Sequence, residues 1–424
     1  MAEAHQYFQE AFDILSPKEN KSEEEKILII DILNRWAYAY YYLGEIQNFI
    51  DLFKSYQAVA DSLNDKAKVG MFYAWFGIAH FMAGKPYDSY GLLCKALELG
   101  ESSGNQKVVG YACTWLPWAC AELGFFAEGI EFGEKARKIA ESFPADQYLF
   151  FKSLGGLCYI NFLKGNTSEI FEGANQLLEY GERSANSRCK VFGHWMEAFG
   201  HWIAGDMKSS QKSCEKAIDV ALDPAYSQFP KLSLGLAYFL EGQIQEAENA
   251  LKLCINFCEK RGMGQITEIG RLFLAPTLIV KGDMKQGQKM LEEVQETFIR
   301  NHRNIWHAQS EYIRGKVKSQ IATGPKPTVS IMAKNLGFLL TNVPFAGKKA
   351  EEHLRKAVGI LTEIGAKGLL GNVYLDLGLL HKNNKRTNQA RECILEAIKI
   401  FRECEAEPYL NQAKEELEHL KAKI

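Results

Sequence analysis

The chain is poor in proline, with 11 in 424 residues, and no sign of charge prevails: 50 Lys and Arg stand against 52 Asp and Glu. Scarce proline and 12% aromatic residues exclude collagen-like and disordered classes. A net charge of −2 removes any global electrostatic argument for nucleic acid or an anionic membrane. No apolar run approaches the ~20 residues of a membrane span. The longest, Leu272–Val280, is interrupted by Pro276. Residues 1–13 lack a basic start followed by an apolar core, so no secretory signal is expected. The 10 cysteines never form Cys-x-x-Cys, and a chain of this size needs no disulfide staples. The expectation is a cytoplasmic protein with reduced thiols.

Catalytic signatures are missing too. Gly84-Lys85-Pro86 and Gly347-Lys348-Lys349 lack the hydroxyl and upstream glycine of a phosphate-cradling loop. There is no Gly-x-Ser-x-Gly elbow, no His-Glu-x-x-His and no paired-cysteine zinc spacing. Neither catalytic nor cofactor-binding residues are assigned, and the chain is expected not to be an enzyme.

What is present is a period. Gly44, Gly84, Gly124, Gly165, Gly205, Gly242 and Gly282 follow one another at intervals of 40, 40, 41, 40, 37 and 40 residues. Each follows an apolar-rich run and precedes an amphipathic one, which reads as helix, glycine turn, helix. Ile244, Ala247, Leu251, Cys254 and Cys258 step by 3 and 4, as do Ala390, Cys393, Ala397, Phe401 and Cys404. Those are single apolar stripes on helices. Seven residues before the turn stand Ala37, Gly77, Cys158, Ala198, Gly235 and Ala275, with Pro117 breaking the column. Twelve after it come Ala96, Ala136 and Ala217, so the two helices of a hairpin can approach closely.

A small residue, a turn glycine and an alanine in the second helix resemble the tetratricopeptide (TPR) pattern. Phe76-Gly77, Gly84 and Lys95-Ala96 carry it, as do Leu377-Gly378 and Glu396-Ala397. The period is longer than the usual ~34 residues, and the Asp-Pro ending is missing. The reading is an all-α, α-solenoid superhelix of about nine to ten TPR-like hairpins. It divides into an N-terminal helix (1–21), regular hairpins (22–323), an insertion within a repeat (324–346), last hairpins (347–406) and a C-terminal capping helix (407–424).

Residues 346–420, through Ala350–Leu354, Ile364–Gly368, Tyr374–His381 and Ala390–Cys393, resemble a more specific group. It is the C-terminal TPR region of bacterial signalling proteins that carry a class III adenylate/guanylate cyclase domain and a STAND-type ATPase. The resemblance implies a regulatory region acting on cyclase or ATPase domains in cis or in trans. Neither catalytic part has a counterpart in the sequence.

Three constellations bear on binding. His194, Glu197 and His201 fall at i, i+3 and i+7 of one helix, where their heads could meet a metal. Packing around Trp195, Ala198, Phe199 and Trp202 explains the same helix without one, and no metal ligand is assigned. Six and three residues before the turn glycines run two columns rich in aromatics. They contribute Tyr38, Tyr41, Phe81, Trp118, Tyr159, Phe162, Phe199 and Trp202 to a candidate partner groove, joined by Asn34 and Trp195. Two readings share this spacing: a concave groove for a partner segment, or plain core. Finally, Arg300, Arg303, Arg314, Lys316, Lys318, Lys326, Lys334, Lys348 and Lys349 meet only Glu311 between positions 300 and 349, a local balance of +8. That block is a candidate docking patch for an acidic partner, without nucleic-acid motifs beside it.

The function expected is a non-catalytic protein-interaction or regulatory scaffold with a protein or peptide partner. The alternative is a small-ligand or peptide sensor, with Asn34, Arg35 and Arg271 as polar anchors.

Overall fold

Helix starts and stops are set locally. Ser22 opens the helix Glu23–Leu43 in a reciprocal capping box with Glu25. Asp65, Asn105, Asn186 and Asp206 each accept a backbone N–H at the start of a later helix. These side chains satisfy donors that a helix N-terminus leaves free. All seven period-forming glycines have φ between 76° and 95°, the left-handed turn that ends each first helix.

The computed structural model describes residues 1–324 and 329–421. Among them it contains 22 α-helices, one short 3-10 turn and no strand. The helices pair into nine successive hairpins, from Glu23–Leu43 with Ile46–Asp61 to Lys367–Asn383 with Thr387–Glu403. Ala2–Leu15 precedes them and Glu407–Lys421 follows. In the eighth hairpin Asn304–Thr323 packs on Ala346–Ile364. The short helices Val329–Lys334 and Leu336–Asn342 and the turn Val343–Phe345 stand between those two in the chain. The small-residue columns mark the close approach of helix on helix. A Cβ on Gly77 would lie 2.8 Å from Leu93, and one on Gly235 would lie 2.8 Å from Leu251.

The solenoid winds tightly enough to touch itself. Lys66–Met82 meets Gly264–Val280, Gln106–Leu123 meets Asn304–Thr323, Gln147–Lys164 meets Lys367–Asn383, and Ser187–Ala204 meets Glu407–Lys421. Each contact joins a hairpin to the unit five positions further on, so five hairpins make one superhelical turn. Polar groups stitch the turns together. The Ile46 backbone N–H donates to Arg261 O at 2.9 Å, Asn304 Nδ2 to Leu123 O at 2.8 Å, and Thr167 Oγ1 to Cys404 O at 2.6 Å.

This winding buries the first helices on all sides. In Gln106–Leu123 every residue from Val108 to Leu123 is buried. Second helices face outward and keep one stripe, as Met284–Arg300 does with Met284, Gly287, Leu291, Val294, Gln295 and Phe298. The two sequence patterns, apolar all round and one-sided, match these two environments.

Turn glycines therefore serve two purposes that can be separated. Gly165 sits at φ +79, and a Cβ there would lie 2.3 Å from Cys404 Sγ and 3.1 Å from the Gly368 backbone, one superhelical turn away. Gly242 has a similar φ of +76 with nothing within 4 Å. Gly242→Ala should cost about 1–2 kcal/mol, the left-handed penalty alone. Gly165→Ala should cost about 1–3 kcal/mol more through overpacking. Denaturant titration of both variants checks the difference; equal losses would contradict the inter-turn contact.

Candidate functional site

The ten candidate groove residues do not line an open groove. Asn34, Tyr41, Phe81, Trp118, Tyr159, Phe162, Trp195 and Phe199 are buried, and Tyr38 and Trp202 are partly exposed. With five hairpins per turn the concave face is so narrow that side chains from opposite walls meet across it. Trp118 stacks on Tyr159 with ring centroids 5.3 Å apart and lies parallel to Trp195 at 6.2 Å. Tyr41 meets Tyr148 from the fourth hairpin at 6.3 Å. The open groove is thus corrected to an aromatic interior.

The basic block is also divided by the fold. Arg303 is fully buried: Nε donates to Glu122 Oε2 at 2.6 Å, and Nη1 to Glu268 Oε2 at 2.6 Å. Glu122 is fully buried as well and belongs to the previous superhelical turn, so this pair is an inter-turn lock rather than a docking charge. Burial pushes the Glu268 carboxyl up while Arg303 pulls it down. Lys318 is buried against Gln288 and Asn342, and burial lowers its ammonium to about 8. Arg314 reaches Gln295 and Glu292, and Lys316 pairs with Asp376 at 3.1 Å. Arg300, Lys334, Lys348 and Lys349 are exposed, Lys334 paired with Asp283. Lys326 lies outside the described residues.

The His194, Glu197 and His201 set does not converge. Glu197 accepts from His194 Nδ1 at 3.3 Å and from Ser213 Oγ at 2.9 Å, which hold its carboxyl down at about 2. His201 packs edge-on against Phe171 instead. Among the described residues no group of three His, Cys, Asp or Glu side chains could hold a metal. The anchors weighed for a ligand are dispersed too. Asn34 donates to Lys68 O, Arg35 is exposed and Arg271 pairs with Glu259.

What the aromatic interior does contain is a cavity of about 40 Å³ and a residue that spacing did not single out. Lys152, on Gln147–Lys164, is 1% exposed and lines that cavity. Its Nζ lies 4.2 Å from the Phe192 ring centroid, 4.6 Å from Trp115, 5.0 Å from Tyr226 and 5.2 Å from Tyr41. No acid or hydrogen-bond acceptor among the described residues reaches it. Ring faces attract an ammonium by about 0.5–2 kcal/mol each, but they replace none of the hydrogen bonds to water that burial removes. Burial accordingly pushes the amine well below the ordinary lysine range. The signal was a lone charge inside Tyr148–Leu157, an otherwise uncharged helical run.

The comparisons can be set beside this geometry. The family described as "Tetratricopeptide repeat" matches residues 371–404. Among solved structures, a Rap protein complexed with Competence and Sporulation Factor is similar over 87% of this chain and 100% of its own. Its identity is 13% and its TM-score 0.51. The Cut9-Hcn1 hetero-tetramer of the APC/C aligns over 98% of this chain and 87% of its own, at 11% identity and a TM-score of 0.38, too low to carry an argument. No curated protein matches. The fold is a TPR-type α-solenoid.

Two stability outcomes follow from the buried charges of this solenoid. Arg303→Met strands Glu122 and should destabilise by about 3–5 kcal/mol; adding Glu122→Met should recover most of that in denaturant titrations. Lys152→Met should stabilise. The unfolded chain binds the Lys152 proton up to a pH near 10.5 while the folded chain disfavours it, so wild-type stability gains from this group as pH rises. The advantage of Lys152→Met should shrink by about 1.4 kcal/mol per pH unit above the folded pKa and vanish past 10.5. A pH-independent difference would refute the unpaired amine.

Proposed function

We propose that this chain is a non-catalytic regulatory module that binds a protein partner on the outside of its superhelix. The carrying observation is where exposed apolar surface gathers. Leu336, Leu340, Val343 and Phe345 are 58%, 68%, 47% and 60% exposed, all within the segment joining the two helices of the eighth hairpin. Leu336 and Leu340 share one face of a short helix, and exposed Lys334, Lys348 and Lys349 flank them. An apolar strip rimmed by lysines suits an amphipathic, acidic segment of a partner. Repeat solenoids supply such surfaces preformed, so little ordering entropy opposes docking.

The resemblance of residues 346–420 to cyclase–ATPase–TPR proteins supports a partner among such catalytic domains, in cis or in trans. That identity rests on the resemblance alone. The test is capture of the partner by wild type and by Leu336→Ser/Leu340→Ser/Phe345→Ser. All three side chains are solvent-exposed, so melting should be unchanged while partner capture falls at least tenfold. A folded triple variant that keeps its partner would sink the reading.

A second reading, a ligand or peptide sensor, is favoured by the axial cavity with its unpaired amine. The similarity to a Rap protein seen with Competence and Sporulation Factor is compatible with it.

A further inference from the structure

The axial cavity is unusual for what it leaves unsatisfied. Besides Lys152 Nζ, it is lined by Tyr159, Gln265 and Trp306. Gln265 Oε1 is buried without a hydrogen-bond partner, and Tyr159 OH and Trp306 Nε1 are buried facing one another, short of full hydrogen-bonding geometry. Native interiors leave few polar atoms in this state, and each asks for water, an ion or a ligand. Lys152, Tyr159, Gln265 and Trp306 line one space and come from the fourth, seventh and eighth hairpins. Trp115, Trp118, Phe192 and other apolar side chains form its walls.

We propose that this cavity is a binding site for a short-chain monocarboxylic acid, with Lys152 as the carboxylate's partner. The amine is a donor with no acceptor among the described residues, which favours a ligand that brings an acceptor. One amine can balance one negative charge; a phosphate or sulfate dianion would leave charge uncompensated in a low-dielectric site. The aromatic walls call for an apolar body. Size is set by the cavity: about 40 Å³ accommodates about three waters. Three waters take roughly 90 Å³ of liquid, so the site admits only a short acid. Entry is balanced in charge. A carboxylate beside Lys152 makes a net-neutral pair of R–COO⁻ and Lys152–NH₃⁺ where either ion alone would be costly. The ring faces around Nζ then stabilise the ammonium that forms.

The site deepens the ligand-sensing reading and is independent of docking on the outer strip. Titration of the purified chain tests it with no partner present. Five tryptophans, Trp115, Trp118, Trp195, Trp202 and Trp306, line the cavity, so their fluorescence reports occupancy. Sodium butyrate should give a saturable change and a calorimetric heat at about millimolar concentration, and neutral butyramide should bind at least tenfold more weakly. Lys152→Met, which keeps the volume, should abolish that preference. On the unaltered chain, affinity should rise from acetate to butyrate and fall for octanoate, a series that needs no variant. Absence of saturable butyrate binding, or equal binding of butyrate and butyramide, would overturn the proposal. So would a folded Lys152→Met that binds butyrate like wild type. Binding that leaves partner capture unaltered would retain the site and remove only the sensor.

Discussion

The contact between one superhelical turn and the next, five hairpins apart, is the constraint on which the rest of this structure depends. An open solenoid is held by neighbours alone, and its stability is close to a sum of nearest-neighbour terms. Here Gly124 faces Ile364, Gly165 faces Cys404, and Arg303 grips Glu122 across 181 residues. Such pairings couple distant repeats, so loss of one hairpin exposes the apolar faces of units far along the chain. The turn glycines take on a second duty from this winding, because a side chain at several of them would strike the adjoining turn.

Closure also determines what chemistry the interior can hold. First helices that would line a concave surface meet each other across the axis, and most of their aromatic columns are buried. A polar group left in that space must be paired or neutralised. Arg303, Glu122 and Glu268 solve this by pairing, with Gln265 Nε2 also donating to Glu122 at 3.2 Å. Lys152 does not: it has ring faces and a small cavity beside it. The outside is left with the duties of recognition, and its exposed apolar residues concentrate where Leu336–Phe345 interrupts the eighth hairpin.

Much of the site was legible and much was not. That Tyr41, Trp118 and Phe199 hold matched positions on their first helices followed from helical spacing relative to each glycine. Their burial did not, because a residue three or six places before a turn has the same address in a wide superhelix and a tight one. Arg303 read as a surface charge since its acid, Glu122, lies in another repeat. Lys318 misled in the same way. Lys152 could have been noticed as a lone charge between Leu149 and Leu154, flanked by Phe150, Phe151 and Ser153.

Local chemistry alone settled the helices, the forty-residue hairpin and the all-α class. Capping side chains, left-handed glycines and 3.6-residue periodicity act within one or two turns of chain. The number of hairpins per superhelical turn was decided only in three dimensions. It arises from small rotations between neighbouring hairpins, set by how side chains interdigitate, and those rotations accumulate over five units. That accumulated angle turned a groove into an aromatic core, a basic residue into an ion-pair lock, and an unremarked lysine into an unpaired buried amine.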